Sequence, residues 1–109
     1  MAVSENTLGE TRMSKAYWVT SYRSIKDQTV LAAYSVLATK AIEASGGRFI
    51  IRGIAEEVRE QGMKERTVVI EFPNFAQAVA AYEAAAYQKA LAVLGNAVER
   101  DLRIVHAVE

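Results

Sequence analysis

The sequence predicts an α+β domain, a four-stranded antiparallel sheet with its helices packed on one face. Two kinds of observation predict it. Segments rich in β-branched and aromatic residues recur near residues 16–22, 48–52, 65–72 and 101–109, while apolar stripes at helical spacing fill the first and last gaps between them. The middle gap is short and charged and has no such stripe, which joins the second and third strands as a hairpin.

Taken in order, "AYWVTSY" (16–22) reads as the first strand. Ser24 with Asp27 three residues on fits a capping box, and Val30, Tyr34, Leu37, Ala38 and Ala41 then make an amphipathic helix. Gly46 and Gly47 stop that helix and "GGRFIIRG" (46–53) launches the second strand. Residues 54–65 form a solvated hairpin tip with a turn at Gln61-Gly62, and "ERTVVIEF" (65–72) is the third strand. Pro73 ends it, and Asn74 with Gln77 repeats the capping pattern. Phe75, Ala78, Val79 and Tyr82 start a second helix that bends near Ala84 and stops at Gly95-Asn96. "DLRIVHAVE" (101–109) is the last strand. The order β-α-β-β-α-β is that of the ferredoxin-like fold.

The 109 residues suffice for one hydrophobic core, expected over 15–109 behind a flexible polar leader, 1–14, in which Met13 offers a second start. Thirteen basic and thirteen acidic side chains cancel, which weighs against a generic nucleic-acid binder. There is no cysteine, and a single histidine, His106, leaves no visible metal-ligand spacing. No apolar run approaches the roughly 20 residues that cross a bilayer. The expectation is a cytoplasmic protein with no cofactor, no metal, no membrane partner and no nucleic-acid partner.

Simple alternation assigns Phe49, Ile51, Val68, Ile70 and Phe72 to the sheet face that packs on the helices. Arg48, Ile50, Arg52, Thr67, Val69 and Glu71 then share the other face, too apolar to stand open and too charged for a dry core. A second copy of the chain is the economical cover. Two sheets packed face to face would enclose a space lined by Arg52 and Glu71. The faces of the first and last strands stay open on this reading.

The stretches "GGRFIIRG", "ERTVVIEF", "AVAAYEAAAYQKAL" and "ERDLRIV" closely resemble a family of small bacterial proteins catalogued as domain of unknown function number 1330, over about residues 15–109. The resemblance implies a ferredoxin-like protomer and a homodimer whose two sheets pack into a dimeric α/β barrel. That superfamily also holds cofactor-free monooxygenases, muconolactone isomerases and dye-decolourising haem enzymes; no established activity follows. The chain departs from the family in two places. Three alanines, Ala84 to Ala86, stand before Tyr87 where relatives often have serine-proline, so no proline fixes the bend. His106 stands where relatives commonly have glutamate.

Arg52 leads the site candidates as a planar anchor for a carboxylate or phosphate, against a structural ion pair with Glu71. Arg48 is a weaker ligand candidate, since an arginine just past a helix end also bonds that helix's carbonyls. Glu71 serves as a general base if desolvated, but the ion pair is favoured. Tyr22, Tyr34 and Tyr82 read as core, whereas Tyr87 is kept as a cavity-mouth hydroxyl. Tyr87 and His106 are the candidates for moving a proton. The leading expectation is a homodimer binding a small anionic organic molecule, with any chemistry cofactor-free. The alternative is a non-catalytic structural or binding dimer.

Overall fold

In a computed structural model the described residues are 14–108; the expected leader, Ser14 apart, lies outside the described residues. The elements run β1 (Ala16–Ile25), α1 (Gln28–Ala44), β2 (Arg48–Ile54), β3 (Arg66–Phe72), α2 (Phe75–Glu83), α3 (Ala85–Leu94) and β4 (Val98–His106). The strands form one sheet in the order β2-β3-β1-β4 with every neighbouring pair antiparallel, the ferredoxin-like arrangement the sequence predicts.

β1 is longer than "AYWVTSY" because it keeps pairing with β4 past an irregularity at Arg23, as far as Ile25 opposite Val98. Ser24 therefore stays in the strand, where its hydroxyl donates to Glu99 at 3.2 Å. The helix cap moves to Asp27, whose carboxylate accepts from the Val30 N–H at 3.1 Å. At the other end of α1, the Gly46 N–H reaches the Glu43 carbonyl and the Gly47 N–H reaches that of Ile42, with Gly46 at φ 91°. That is the glycine-terminated helix end expected there. Gly47 has a different reason to be small. A Cβ on it would stand 2.6 Å from Ile42 and 2.9 Å from the Phe72 ring.

The Asn74 cap holds as read, accepting from the Gln77 N–H at 2.8 Å. The bend near Ala84 is a full break between α2 and α3, with Ala84 extended at ψ 142°. No proline fixes it. The Gln88 amide donates to the Tyr82 carbonyl at 2.8 Å, satisfying an acceptor that the broken helix leaves free. In the β2–β3 hairpin the turn lies at Arg59–Gly62, with Glu60 at φ 56°.

The core lies between the sheet and the helices. β1 contributes Ala16, Trp18, Thr20 and Tyr22; β3 contributes Val68, Ile70 and Phe72; Tyr34, Ile42, Tyr87 and Leu94 come from the helices. Trp18 is its centre, 1% exposed. Its ring packs on Phe72, Tyr82 and Tyr87, and its indole N–H donates to the Ala78 carbonyl at 2.8 Å. β4 turns Leu102 and Ile104 toward this core, which settles the face of the last strand.

One irregularity overturns the face assignment of β2. Phe49 pairs with Ile70, but the next pair is Ile51 with Val69, so Ile50 is an extra residue. Side chains alternate by twos, and one inserted residue exchanges the faces of everything after it. Arg48 stays opposite Glu71 on the open face. Ile51 joins it there, and Arg52, opposite Val68, turns to the helix face. The expected set Arg48, Ile50, Arg52 on one side and Phe49, Ile51 on the other is thereby corrected.

Candidate functional site

Because Arg52 crosses to the helix face, the expected Arg52–Glu71 ion pair does not form, and Arg52 cannot line a space between two open sheet faces. The Glu71 carboxylate is held by three other donors: Arg48 at 3.0 Å, Lys15 at 3.3 Å and the Tyr17 hydroxyl at 3.1 Å. The Arg48 guanidinium above all, with those two groups, keeps the Glu71 carboxyl below its ordinary range despite some desolvation, which makes it a poor base. The same bond raises the Tyr17 phenol, since losing that proton would cost its hydrogen bond to a carboxylate. Arg48 is thus engaged on the open face, away from Arg52.

Arg52 instead stands at the mouth of a narrow cavity inside the protomer, between the helix face of the sheet and α1 and α3, with a volume of about 30 Å³. Its inner walls are apolar, from Trp18, Ala38, Ile42, Phe49, Val68 and Leu102. At the end of the sheet where β1 runs out, the lining turns polar. Arg52, Arg66 and Arg100 come from three different strands, and Tyr22, Tyr34 and Tyr87 bring three phenols. The mouth opens on a broader groove beside α1 that shares Ser35, Thr39, Arg52 and Arg66 and adds Lys40.

Arg100 is the organising group. One of its terminal nitrogens donates to Tyr22 at 3.0 Å and Tyr34 at 3.3 Å, the other to Tyr87 at 3.2 Å. Tyr34 and Tyr87 share a further bond at 2.7 Å. Burial by itself would disfavour the Arg100 charge, but the three phenol oxygens outweigh it and the guanidinium stays protonated. For Tyr87, burial first and the neighbouring Tyr34 second raise the phenol, and Arg100 does not offset them. Tyr87 therefore stays a neutral hydrogen-bond donor at physiological pH. It is 1% exposed, deep in the cavity wall rather than at its mouth.

Arg66 and Arg52 complete the polar end. The Arg66 guanidinium lies 5.8 Å from the Tyr22 ring centre, with Arg100 5.5 Å from the same ring. The Arg66 Nε is buried and has no hydrogen-bond partner. Arg52 lies over the Phe49 ring at 4.1 Å and donates to the Thr39 hydroxyl at 3.2 Å. Among the described residues, no carboxylate lies within ion-pair distance of any of the three; the ion pairs there go to Lys15, Arg23, Lys26, Arg48, Arg59 and Arg103. A guanidinium has five N–H donors and no acceptor. Three of them with no counter-ion make an arrangement able to hold an oxyanion.

His106 is elsewhere. It lies exposed at the end of β4, stacked on Phe75 with centroids 4.5 Å apart, and does not line the cavity. No aspartate, glutamate or histidine lines it either, among the described residues. Nor do three His, Cys, Asp or Glu side chains there gather in a way that could hold a metal ion. None of the described helices is long and apolar enough to cross a membrane.

Sequence reasoning passed over Arg66 and Arg100. Arg66 carried a readable signal, a charge in step with the apolar face of Val68 and Ile70, whereas Arg100 precedes the expected last strand, whose face the sequence leaves open.

The family model described as Domain of unknown function (DUF1330) matches residues 15–108. No curated protein matches the chain. Among solved structures, a Rhodopseudomonas palustris protein of unknown function, RPA0582, superposes with a TM-score of 0.68 at 16% identity, covering 90% of this chain and 85% of that one. A putative antibiotic biosynthesis monooxygenase from Caulobacter crescentus gives 0.59 at 11% identity, covering 89% and 92%. SnoaB, a cofactor-independent oxygenase from Streptomyces nogalater, gives 0.58 at 10% identity, covering 88% and 95%. At these identities the structures share the fold, and it is the family match that identifies the chain: it belongs to the DUF1330 family.

Proposed function

We propose that this DUF1330-family protein binds a small organic anion where the cavity between its sheet and its helices opens on the groove beside α1, with Arg52 and Arg66 as the anion-holding groups and Arg100 behind them. The single observation that carries the reading is the three guanidiniums around one cavity with no carboxylate partner among the described residues. Apolar walls with a few convergent polar groups are what a small-molecule site needs. The ligand meets Arg52 and Arg66 at that opening.

If the site does chemistry, that chemistry is electrostatic. Arg100 and the phenols around it are donors aimed into a confined space, suited to stabilising negative charge that develops on a ligand oxygen. Among the described residues neither a carboxylate nor an imidazole stands there to take a proton. Tyr87 is positioned to donate a hydrogen bond, and His106 has no part in this site.

The homodimer belongs to the same proposal. Ile50, Ile51 and Val105 are exposed, and Tyr17, Val19 and Val69 only half-buried, on the face that the helices leave open. A second copy is the occupant that this apolar strip fits. Its ion pairs, Arg48–Glu71 and Arg103–Asp101, then belong to the interface and not to the ligand site.

Thermal-shift measurements with small carboxylates test the cavity, on wild type, Arg66→Gln and Arg48→Gln. Stabilisation of wild type and Arg48→Gln but not of Arg66→Gln supports it. Equal stabilisation of all three, or of none, removes it. Light scattering at micromolar concentration tests the pairing, and a clean monomer there sinks that part.

A further inference from the structure

We infer that the ligand is a monocarboxylate with an apolar chain, its carboxylate at Arg52 and Arg66 and its chain laid along α1 against Leu31, Ala32 and Val36. This rests on the opening being an anion site at all.

The space for such a ligand lies outside the narrow cavity. The groove beside α1 has a volume of about 610 Å³, within the roughly 300–1,000 Å³ of small-molecule sites. Its two walls differ in kind. α1 packs chiefly on α3 and turns another flank to the groove, where Leu31, Ala32, Ser35, Val36, Thr39 and Lys40 recur at helical spacing. Leu31, Ala32 and Val36 make that flank apolar, and Val36 is 59% exposed on it. From Leu31 to Lys40 the helix wall runs about 14 Å at 1.5 Å per residue, enough for an extended chain of about eight carbons.

The facing wall is cationic. Arg52 on β2 stands opposite Val68, and Arg66 on β3 stands opposite Ile54, so the two are diagonal neighbours on one face of the strand pair. Diagonal neighbours lie roughly 7–8 Å apart, a gap that long side chains close, so one carboxylate can meet both guanidiniums. Arg52 uses one nitrogen on Thr39, and the buried Arg66 Nε–H has no acceptor. Both keep donors for a carboxylate. Lys40, next to Thr39, adds a third positive charge, and no aspartate or glutamate lines the groove among the described residues. A compact anion would leave the helix wall wet. A neutral chain would leave the guanidiniums without a counter-ion.

Isothermal titration of the full-length protein decides it, with octanoate against butyrate, octan-1-ol and inorganic phosphate. Each fully buried methylene is worth about fourfold, so in a half-open groove octanoate should bind at least about tenfold tighter than butyrate. Octan-1-ol and phosphate should both bind more weakly than octanoate. In Val36→Ser, a change at an exposed position, the advantage of octanoate over butyrate should fall below about threefold. Arg66→Gln, checked for native circular dichroism, should weaken both acids. Equal binding of butyrate and octanoate, or phosphate binding tightest, overturns the apolar chain and leaves the anion site standing. A preference for octanoate that survives Val36→Ser overturns the placement along α1. Octan-1-ol binding as tightly as octanoate, or no binding of any probe, overturns both readings. Should Arg66→Gln fail to fold, the exposed Arg52→Gln takes its place, and the ranking of ligands on wild type still decides the matter.

Discussion

The two faces of one sheet hold their arginines in opposite ways. On the open face Arg48 is matched, sharing the Glu71 carboxylate with Lys15 and Tyr17, and Arg23 and Arg103 share Asp101. On the helix face Arg52, Arg66 and Arg100 have hydroxyls and rings around them and no carboxylate among the described residues. A paired charge is internally satisfied and mainly holds the fold or an interface. An unpaired one in a half-closed cavity keeps donors that the fold itself does not use. The contrast teaches that the count of arginines on a strand says less than which side of the pleat each one falls on.

The largest way to break the contrast is through the core. Trp18 and Val19 are adjacent on β1 but face opposite ways. Trp18→Ala removes a buried ring and the donor to Ala78, and should cost about 3–5 kcal/mol by urea denaturation. Val19→Ala, on the open face, should cost about 1 kcal/mol or less. A Val19→Ala loss that grows with protein concentration would show that a second copy covers this face.

Next in size is the phenol cluster. Tyr87→Phe keeps the ring packing and deletes the hydroxyl that Arg100 and Tyr34 bond, so a loss of about 1–2 kcal/mol is expected. A neutral result in denaturation would mean that Arg100 does not depend on that hydroxyl.

The smallest effect belongs to the matched charge. Arg48→Gln should lower stability slightly, and less in high salt. Its pH dependence has a definite sign. Glu71 is held below its ordinary pKa in the folded chain, chiefly by Arg48, so its contribution is present above the unfolded carboxylate pKa. It is lost as pH falls through the lower, folded value. Without Arg48 that loss should begin at a higher pH, which acid titration followed by circular dichroism checks. An unchanged acid transition would show that Lys15 and Tyr17 suffice.

Much of the fold was legible because its signals are local. Asn74, Gly46 and the alternation Val68, Ile70, Phe72 each declare themselves within a few residues. The site was half legible. Arg52 was singled out for its guanidinium, but the partner assigned to it was wrong, because the extra residue at Ile50 leaves no compositional mark. Ile50 and Ile51 look alike in the sequence, and pairing with β3 alone decides which is inserted. Arg100 could not be assigned a face while the last strand had two equally apolar sides, and only the packing of Leu102 and Ile104 resolves that. Tyr22 and Tyr34 read as core and are core, while Tyr87, expected as a cavity-mouth hydroxyl, is buried with them. Their hydroxyls meeting at one guanidinium is a tertiary fact with no local trace.

The most direct test follows the arginines themselves. The side-chain Nε–H resonances of the ¹⁵N-labelled protein, titrated with octanoate and assigned with single Arg→Lys variants, report each guanidinium separately. The account predicts saturable shifts at Arg52 and Arg66, with Arg48 and Arg103 unmoved. Shifts at Arg48 with Arg52 and Arg66 silent would contradict it.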